Sequence, residues 1–307
     1  MPDAPGTIVQ RFAAWARVRG LSQAQAAKLA GMSAATFSQV VSGTYAGNTE
    51  RYVQKMERAL AHADRRERAP RRPEIADTSV CQEVVATLRV AHDEGVMAVV
   101  MGVAGCGKTC GVSVYCRAEP ETISLIMRPS GRRGSQGAGK PLLNRLAAAV
   151  GIELPRGTSI YDSVELIGQA LKGSDRLVVI DEIDYAAEDV LQCIRMIHDI
   201  AQCGIVLIAT PAFLEKLRRM NSSTVNQFLS RIAHRCDVGG MTEEDAEKIL
   251  TAQGLDKITL SAARAGAKGS PRRLVHGILG AQRIVRDEGG KLDAKTISRA
   301  YEQLWEV

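Results

Sequence analysis

Four short runs stand out from an otherwise mixed pattern of apolar and polar positions. They are VMAVVMG (Val96–Gly102), TISLIM (Thr122–Met127), RLVVIDE (Arg176–Glu182) and GIVLIAT (Gly204–Thr210). All are apolar and largely β-branched, the pattern of strands covered on both faces. Between them lie longer stretches with apolar residues at helical spacing, Lys140–Gly151 and Ala187–Ala201 among them. Strands alternating with helices predict a parallel sheet with crossover helices. After about Met241 the strand runs stop, and Thr242-Glu-Glu-Asp245 fits a capping box that opens a helix, with aspartate in place of the usual glutamate. The remainder, to Val307, reads as a helical bundle. Upstream, from about Thr7 to Ala63, the pattern predicts a small all-helical unit. Its apolar faces are Phe12, Ala16, Ala26, Ala27, Leu29, Ala30, Phe37, Val40 and Val41.

These patterns divide the 307 residues into a helical unit (1–64), a linker (65–74), an α/β core (75–240) and a C-terminal helical part (241–307). The linker holds RRERAPRRP, whose two prolines and five arginines make a poor helix interior. A solvated tether and a phosphate-gripping strap through Arg71 and Arg72 both fit it. The glycine-rich PSGRRGSQGAGKP (Pro129–Pro141) reads as a mobile loop. Its Arg132, Arg133 and Lys140 are candidates for DNA contact, against the alternative of a solvated loop. The net charge is +6, yet Met1–Pro73 alone carries twelve Arg/Lys against five Asp/Glu, so the rest of the chain is nearly neutral. That placement permits nucleic acid as a partner of the N-terminal part. Seven cysteines without a C-x-x-C pair or zinc spacing imply free thiols in a reducing cytosol. No apolar run approaches a membrane span and no signal-peptide pattern opens the chain, so no membrane role is expected.

GVAGCGKT (Gly102–Thr109) satisfies G-x-x-x-x-G-K-T, follows a predicted strand and opens a predicted helix. In such a loop, here Gly102, Val103, Ala104, Gly105, Cys106, Gly107, Lys108, Thr109 and Cys110, glycines let successive N–H groups turn inward to phosphate oxygens. Lys108 is placed to reach the β- and γ-phosphates of ATP, and the Thr109 hydroxyl to bind Mg²⁺. The second half of such a site is LVVIDEID. Its strand delivers Asp181 to hold Mg²⁺ through water, and the next residue, Glu182, to polarise the attacking water. Asp184 reads as a cap or a partner of a basic residue rather than a catalytic group.

This pair of motifs resembles the AAA+ ATPases: an α/β P-loop module, a parallel sheet flanked by helices, with a C-terminal helical lid. The resemblance implies further roles. Thr210, ending GIVLIAT, stands where the first sensor belongs, although many relatives use asparagine there. Within FLSRIAHRCDV (Phe228–Val238), Arg231 corresponds to an arginine finger acting on a neighbour's γ-phosphate, with Arg235 as the alternative. That role requires an oligomer. Within GSPRRLVHGI (Gly269–Ile278), Arg272 corresponds to the second sensor, while Arg273 faces solvent or DNA.

LSQAQAAKLAGMSAATFSQVVSG (Leu21–Gly43) has the form of a helix-turn-helix. Ser22 and Gln25 make a capping box, Gly31 ends the first helix and Ser33 caps the second, with Ala26 and Val40 packed between them. A plain helical hairpin has the same form. The second helix offers only serines such as Ser33, together with Thr36 and Gln39, for hydrogen bonds. No arginine, lysine or asparagine is placed for bidentate base reading. Backbone binding with weak sequence preference fits this pattern.

A helix-turn-helix, a basic linker, one AAA+ module and a helical tail, in that order, resemble the B-type ATPases of Mu-like transposing phages over nearly the whole chain. The resemblance rests on SQAQAAKLAGMSAATFSQVVSGTYAGNTERY, GVAGCGKT, LVVIDEID and FLSRIAHR. It implies an ATP- and Mg²⁺-dependent protein of the bacterial cytoplasm and nucleoid. Such a protein binds double-stranded DNA, oligomerises on it as a helical filament or ring, delivers it to a transposase, stimulates strand transfer and lets go on hydrolysis. The threonine at the first sensor and DEID at the acidic motif depart from the usual pattern. A helicase loader of the IstB-like or DnaC-like branch, an ATP-sensing transcriptional regulator and a small-molecule kinase share parts of this set.

Overall fold

The computed structural model describes residues 5–67, 78–128, 139–220, 222–251 and 255–304. Arg71, Arg72, Arg132 and Arg133 lie outside these residues. The chain forms two compact units, Met1–Arg71 and Arg72–Val307.

In the first unit, α1 (Pro5–Val18), α2 (Gln23–Ala30), α3 (Ala34–Ser42) and α4 (Glu50–Glu67) close around Phe12, Ala27, Phe37 and Met56. The local signals act as expected. The Ser22 hydroxyl accepts the Gln25 N–H, and the Gln25 side chain accepts the Ser22 N–H in return. Gly31 ends α2 at φ 68°, a conformation a side chain disfavours. The Ser33 hydroxyl then caps α3 through the Thr36 N–H. Ala26 and Val40 are both buried between the helices. Leu29 departs from expectation and is 50% exposed. The buried stripe of α2 is Ala26, Ala27 and Ala30, and Leu29 lies to one side of it. Helix α4 runs to Glu67, past the expected linker start at Arg65, because no proline intervenes before Pro70.

The second unit is built on five strands: β1 (Met97–Met101), β2 (Ile123–Ile126), β3 (Val178–Asp181), β4 (Ile205–Ala209) and β5 (Ile232–Asp237). Their order is β2-β3-β4-β1-β5, and every neighbouring pair is parallel. Four strands lie within the four apolar runs. The fifth was not expected as a strand, because IAHRCD has neither a β-branched run nor a clean alternation. It forms because one edge pairs with the wholly buried β1, a case of tertiary pairing overriding propensity.

Alternate side chains of the strands feed two cores. Met97, Val99, Ile180 and Leu207 pack with α7 (Lys140–Val150), α8 (Ile160–Leu171) and α9 (Glu188–Ala201). Ala98, Val100, Val179 and Val206 pack with α5 (Ser79–Glu94) and α6 (Lys108–Ala118). The result is a three-layer α/β/α module in which every strand ends at one edge, the usual place for a ligand in such sheets. Short helices α10 (Ala212–Met220) and α11 (Ser223–Leu229) link β4 to β5.

Four helices follow: α12 (Glu243–Thr251), α13 (Lys257–Ala267), α14 (Pro271–Glu288) and α15 (Ala294–Glu302). They bury Leu250, Ala263, Leu274, Ile278 and Ile297 among themselves. The expected capping box is present, with Thr242 and Asp245 exchanging backbone-to-side-chain bonds. The Asp245 carboxylate does more than cap. It also accepts the Ser79 N–H at 2.8 Å and the Ser79 hydroxyl at 2.7 Å, which ties the start of α12 to the start of α5. Burial pushes the Asp245 carboxyl up, but the hydrogen bonds from Ser79 and Thr242 outweigh it, and the group titrates below the usual carboxylate range. Among the described residues no helix is long and apolar enough to cross a membrane.

Candidate nucleotide site

The loop after β1 curls because two of its residues adopt backbone angles open to glycine: Gly105 at φ 81° and Gly107 at φ 117°. Gly107 has no side chain to cap α6, so the helix presents its first N–H groups outward. Lys108 is nearly buried, and its Nζ donates to the carbonyls of Gly102 at 2.5 Å and Val103 at 3.0 Å. The Thr109 hydroxyl donates to Asp181 at 2.8 Å, which brings the two sequence motifs together across seventy residues. Asp181 is 7% exposed, and its other oxygen accepts the Glu182 N–H. Glu182 is exposed at φ 57°, on a left-handed step that leads into a 3-10 turn (Ile183–Tyr185). The hydroxyl and carboxylate in contact are oxygen ligands of the kind Mg²⁺ takes, and the uncapped first N–H groups of α6 are donors of the kind polyphosphate oxygens need.

A cavity of about 500 Å³ opens over the loop. Its floor is Gly105, Gly107, Lys108, Thr109 and Cys110, and its wall is Arg272, Val275 and His276 on α14. A Cβ placed on Gly105 would stand 3.3 Å from Cβ of Arg272, so the loop and α14 are already in close contact. Arg272 thus faces the cavity. Arg273 is half-buried, its Nε donating to the Gly266 carbonyl at 3.3 Å. The cavity continues along α6 past Ser113 to Arg117. Ser113, Arg117 and His276 were missed from sequence. The signal for the first two is their spacing, since Thr109, Ser113 and Arg117 are four apart and share one helix face.

Thr210 caps the end of β4, and its partner is within the chain. Its hydroxyl donates to Asp184 at 2.5 Å, and its N–H is shared between both Asp184 oxygens at 3.1 Å. Asp184 is therefore an anchor, as its sequence context suggested, but for the threonine rather than for a basic side chain. Lys216, on α10, donates instead to the backbone carbonyls of Asp184 and Ala186, each at 2.6 Å.

Arg231 lies just before β5. Its guanidinium grips Asp199 of α9 through Nε at 2.7 Å and Nη2 at 3.4 Å, and Arg195 holds the same carboxylate at 2.7 Å. Bonding to Asp199, and then its charge, push the Arg231 pKa up. Ile232 pairs with Met97 at the start of β1, whereas the phosphate loop follows Met101. At ~3.3 Å per residue the strand puts about 13 Å between Arg231 and the loop's edge of the sheet. Arg235 is engaged by Asp237 at 2.8 Å. Lys140 opens α7 and is exposed.

Residues 91–217 match the family model described as AAA domain. The chain is an ATPase. It is 25% identical over 285 residues to the ATP-dependent target DNA activator B of Escherichia phage Mu, covering 91% of this chain and 89% of that protein. The ATP-dependent target DNA activator B of Escherichia phage D108 matches to the same extent. A Mu-like prophage FluMu DNA transposition protein B from Haemophilus influenzae is 24% identical, over 77% of this chain and 81% of its own. Among solved structures, the Aeropyrum pernix ORC2 protein in its ADPNP-ADP complexes superposes with a TM-score of 0.57 at 15% identity, covering 74% of this chain and 68% of that one. Cdc6p from Pyrobaculum aerophilum gives 0.56 at 15% identity, covering 78% and 70%. These two share the fold.

Proposed function

We propose that this ATPase holds duplex DNA while ATP is bound, assembles along it, presents it to a transposase and releases it on hydrolysis. The observation that carries this reading is the end-to-end similarity to the Mu and D108 target DNA activators, which reaches well beyond the AAA domain. On this proposal the protein works in the cytoplasm of a bacterial host, on nucleoid DNA.

Each part then has a task. Lys108 exchanges its two carbonyl partners for β- and γ-phosphate oxygens. Thr109 and Asp181 hold Mg²⁺, which neutralises charge on the phosphates when bound. Glu182 takes the proton of the attacking water, and Arg272 on the helical lid lays a planar charge on the γ-phosphate from the far wall. A single arginine side chain cannot bridge the distance from Arg231 to its own loop. Its finger role is therefore exerted on the site of a neighbouring subunit, and a head-to-tail repeat of that contact builds a filament or ring.

The N-terminal unit supplies a grip on DNA. On α3 the exposed residues are Ala34, Ala35, Ser38, Gln39 and Ser42, while the Thr36 hydroxyl is engaged by Ser33 at 2.9 Å and that of Ser42 by Thr44 at 2.8 Å. So small a set of donors reads backbone shape rather than bases. Ser33 and Gln39, with the linker arginines, are the proposed phosphate contacts. Electron microscopy of the full chain with ATP and random-sequence duplex tests the whole. Continuous assemblies are expected, and persistent monomers would refute the proposal.

A further inference from the structure

We propose that Asp184 is a positioning residue for hydrolysis. It accepts the hydrogen bond of the Thr210 hydroxyl, so that Thr210 meets the attacking water as an acceptor instead of donating to phosphate. It also ties that threonine to the turn carrying Glu182. The inference rests on the reading of Glu182 as the group that takes the water's proton.

A threonine hydroxyl has one proton and two lone pairs. Here the proton goes to a carboxylate oxygen at 2.5 Å, and the same carboxylate also receives the Thr210 N–H. A short bond to an ionised acceptor is the stronger kind. With its proton committed, the hydroxyl turns only lone pairs outward. Phosphate oxygens are acceptors and gain nothing from it, whereas a water molecule can donate to it. The water that Glu182 polarises is such a molecule.

Glu182 sits in a left-handed conformation two residues before Asp184. Such a conformation persists only when the surroundings over-determine it. Asp184 supplies the constraint from both ends: its carboxylate is bound to the tip of β4, and its backbone carbonyl to Lys216 of α10. Lys216 also holds the Ala186 carbonyl, so the 3-10 turn is held at its middle residue and again just past its end. Thr210, Asp184 and the Glu182 backbone thus move as one body.

The test uses the full chain with duplex DNA. Hydrolysis and the equilibrium binding of a fluorescent ATP analogue are measured for Thr210→Val, Asp184→Ala, the double variant and Asp184→Asn. Each single substitution is expected to lower kcat roughly 10- to 100-fold, as small misplacements of reacting groups do, with analogue affinity within about 3-fold of the parent. The double variant should be no slower than the slower single one, because both remove the same arrangement. Asp184→Asn keeps an acceptor oxygen and should recover part of the loss. Losses that multiply in the double variant would overturn the proposal. So would a fall in analogue affinity in Thr210→Val as large as its fall in kcat, the mark of a donor to phosphate. If Asp184→Ala does not fold, the split between affinity and kcat in Thr210→Val decides alone. A Glu182→Gln protein that hydrolyses normally would instead remove the underlying reading of Glu182.

Discussion

Replacing Arg231 by alanine separates a structural role from a catalytic one. In the folded chain Arg231 is bound to Asp199, but the two side chains are 42% and 32% exposed. An ion pair so open to solvent adds little to folding, and Asp199 keeps Arg195 as a partner. Arg231→Ala should therefore melt within about 2 °C of the parent. As a finger, the same residue would carry a 10³-fold or larger share of turnover, so DNA-stimulated hydrolysis should fall by about that factor. The separation of Arg231 from its own phosphate loop adds a stricter requirement. On the proposed assembly a complete site needs Glu182 from one subunit and Arg231 from the next. Arg231→Ala and Glu182→Gln should each be nearly inactive alone, yet a 1:1 mixture contains interfaces that pair an intact Glu182 with an intact Arg231. Random co-assembly makes about one interface in four complete, so the mixture should recover about a quarter of parental turnover. Phosphate release measured against mixing ratio reads this directly. A mixture no more active than the mean of its components would refute the shared site.

Further outcomes follow from the same geometry. Lys108→Ala should abolish binding of a fluorescent ATP analogue and DNA-bound assemblies together. Glu182→Gln should bind ATP and remain on DNA, seen as a dissociation rate that ATP no longer accelerates. Asp245→Ala strips a buried acceptor from the Ser79 N–H, the Ser79 hydroxyl and the Thr242 N–H. It should cost about 3–5 kcal/mol and lower the melting temperature by roughly 10 °C, read by calorimetry. Because the folded Asp245 carboxyl is held below its ordinary range, its contribution is whole above about pH 4 and drains away as pH falls through the depressed value. Parent and Asp245→Asn should thus converge in stability in acid.

Much of the second unit is legible in one dimension. A buried parallel strand needs apolar residues on both faces, and the four runs around Val99, Leu125, Val179 and Leu207 carry that requirement in their composition alone. The caps at Ser22, Ser33 and Thr242 are legible for a similar reason, since their partners lie three residues away. What fails is whatever depends on a distant neighbour. Strand β5 owes its form to β1, more than a hundred residues upstream. For Arg231 a finger and a surface ion pair both fit the sequence, and its partner Asp199 is found only in the fold. The partner of Thr210 is hidden in the same way, since Asp184, which accepts its hydroxyl, lies twenty-six residues earlier. Arg117 is an intermediate case: its helix face follows from its spacing to Thr109, but the existence of a cavity there depends on α14.

The backbone at Glu182 sets a contest between endurance and activity. At φ 57° a side-chain-bearing residue costs roughly 1–2 kcal/mol that glycine would avoid. Glu182→Gly should then yield a hardier protein that has lost its turnover. On the proposed role of Glu182, the strain is tolerated for the sake of the reaction. Any attempt to harden this chain for use at higher temperature by relieving left-handed backbone will then find one of its tempting substitutions at a carboxylate it must leave alone.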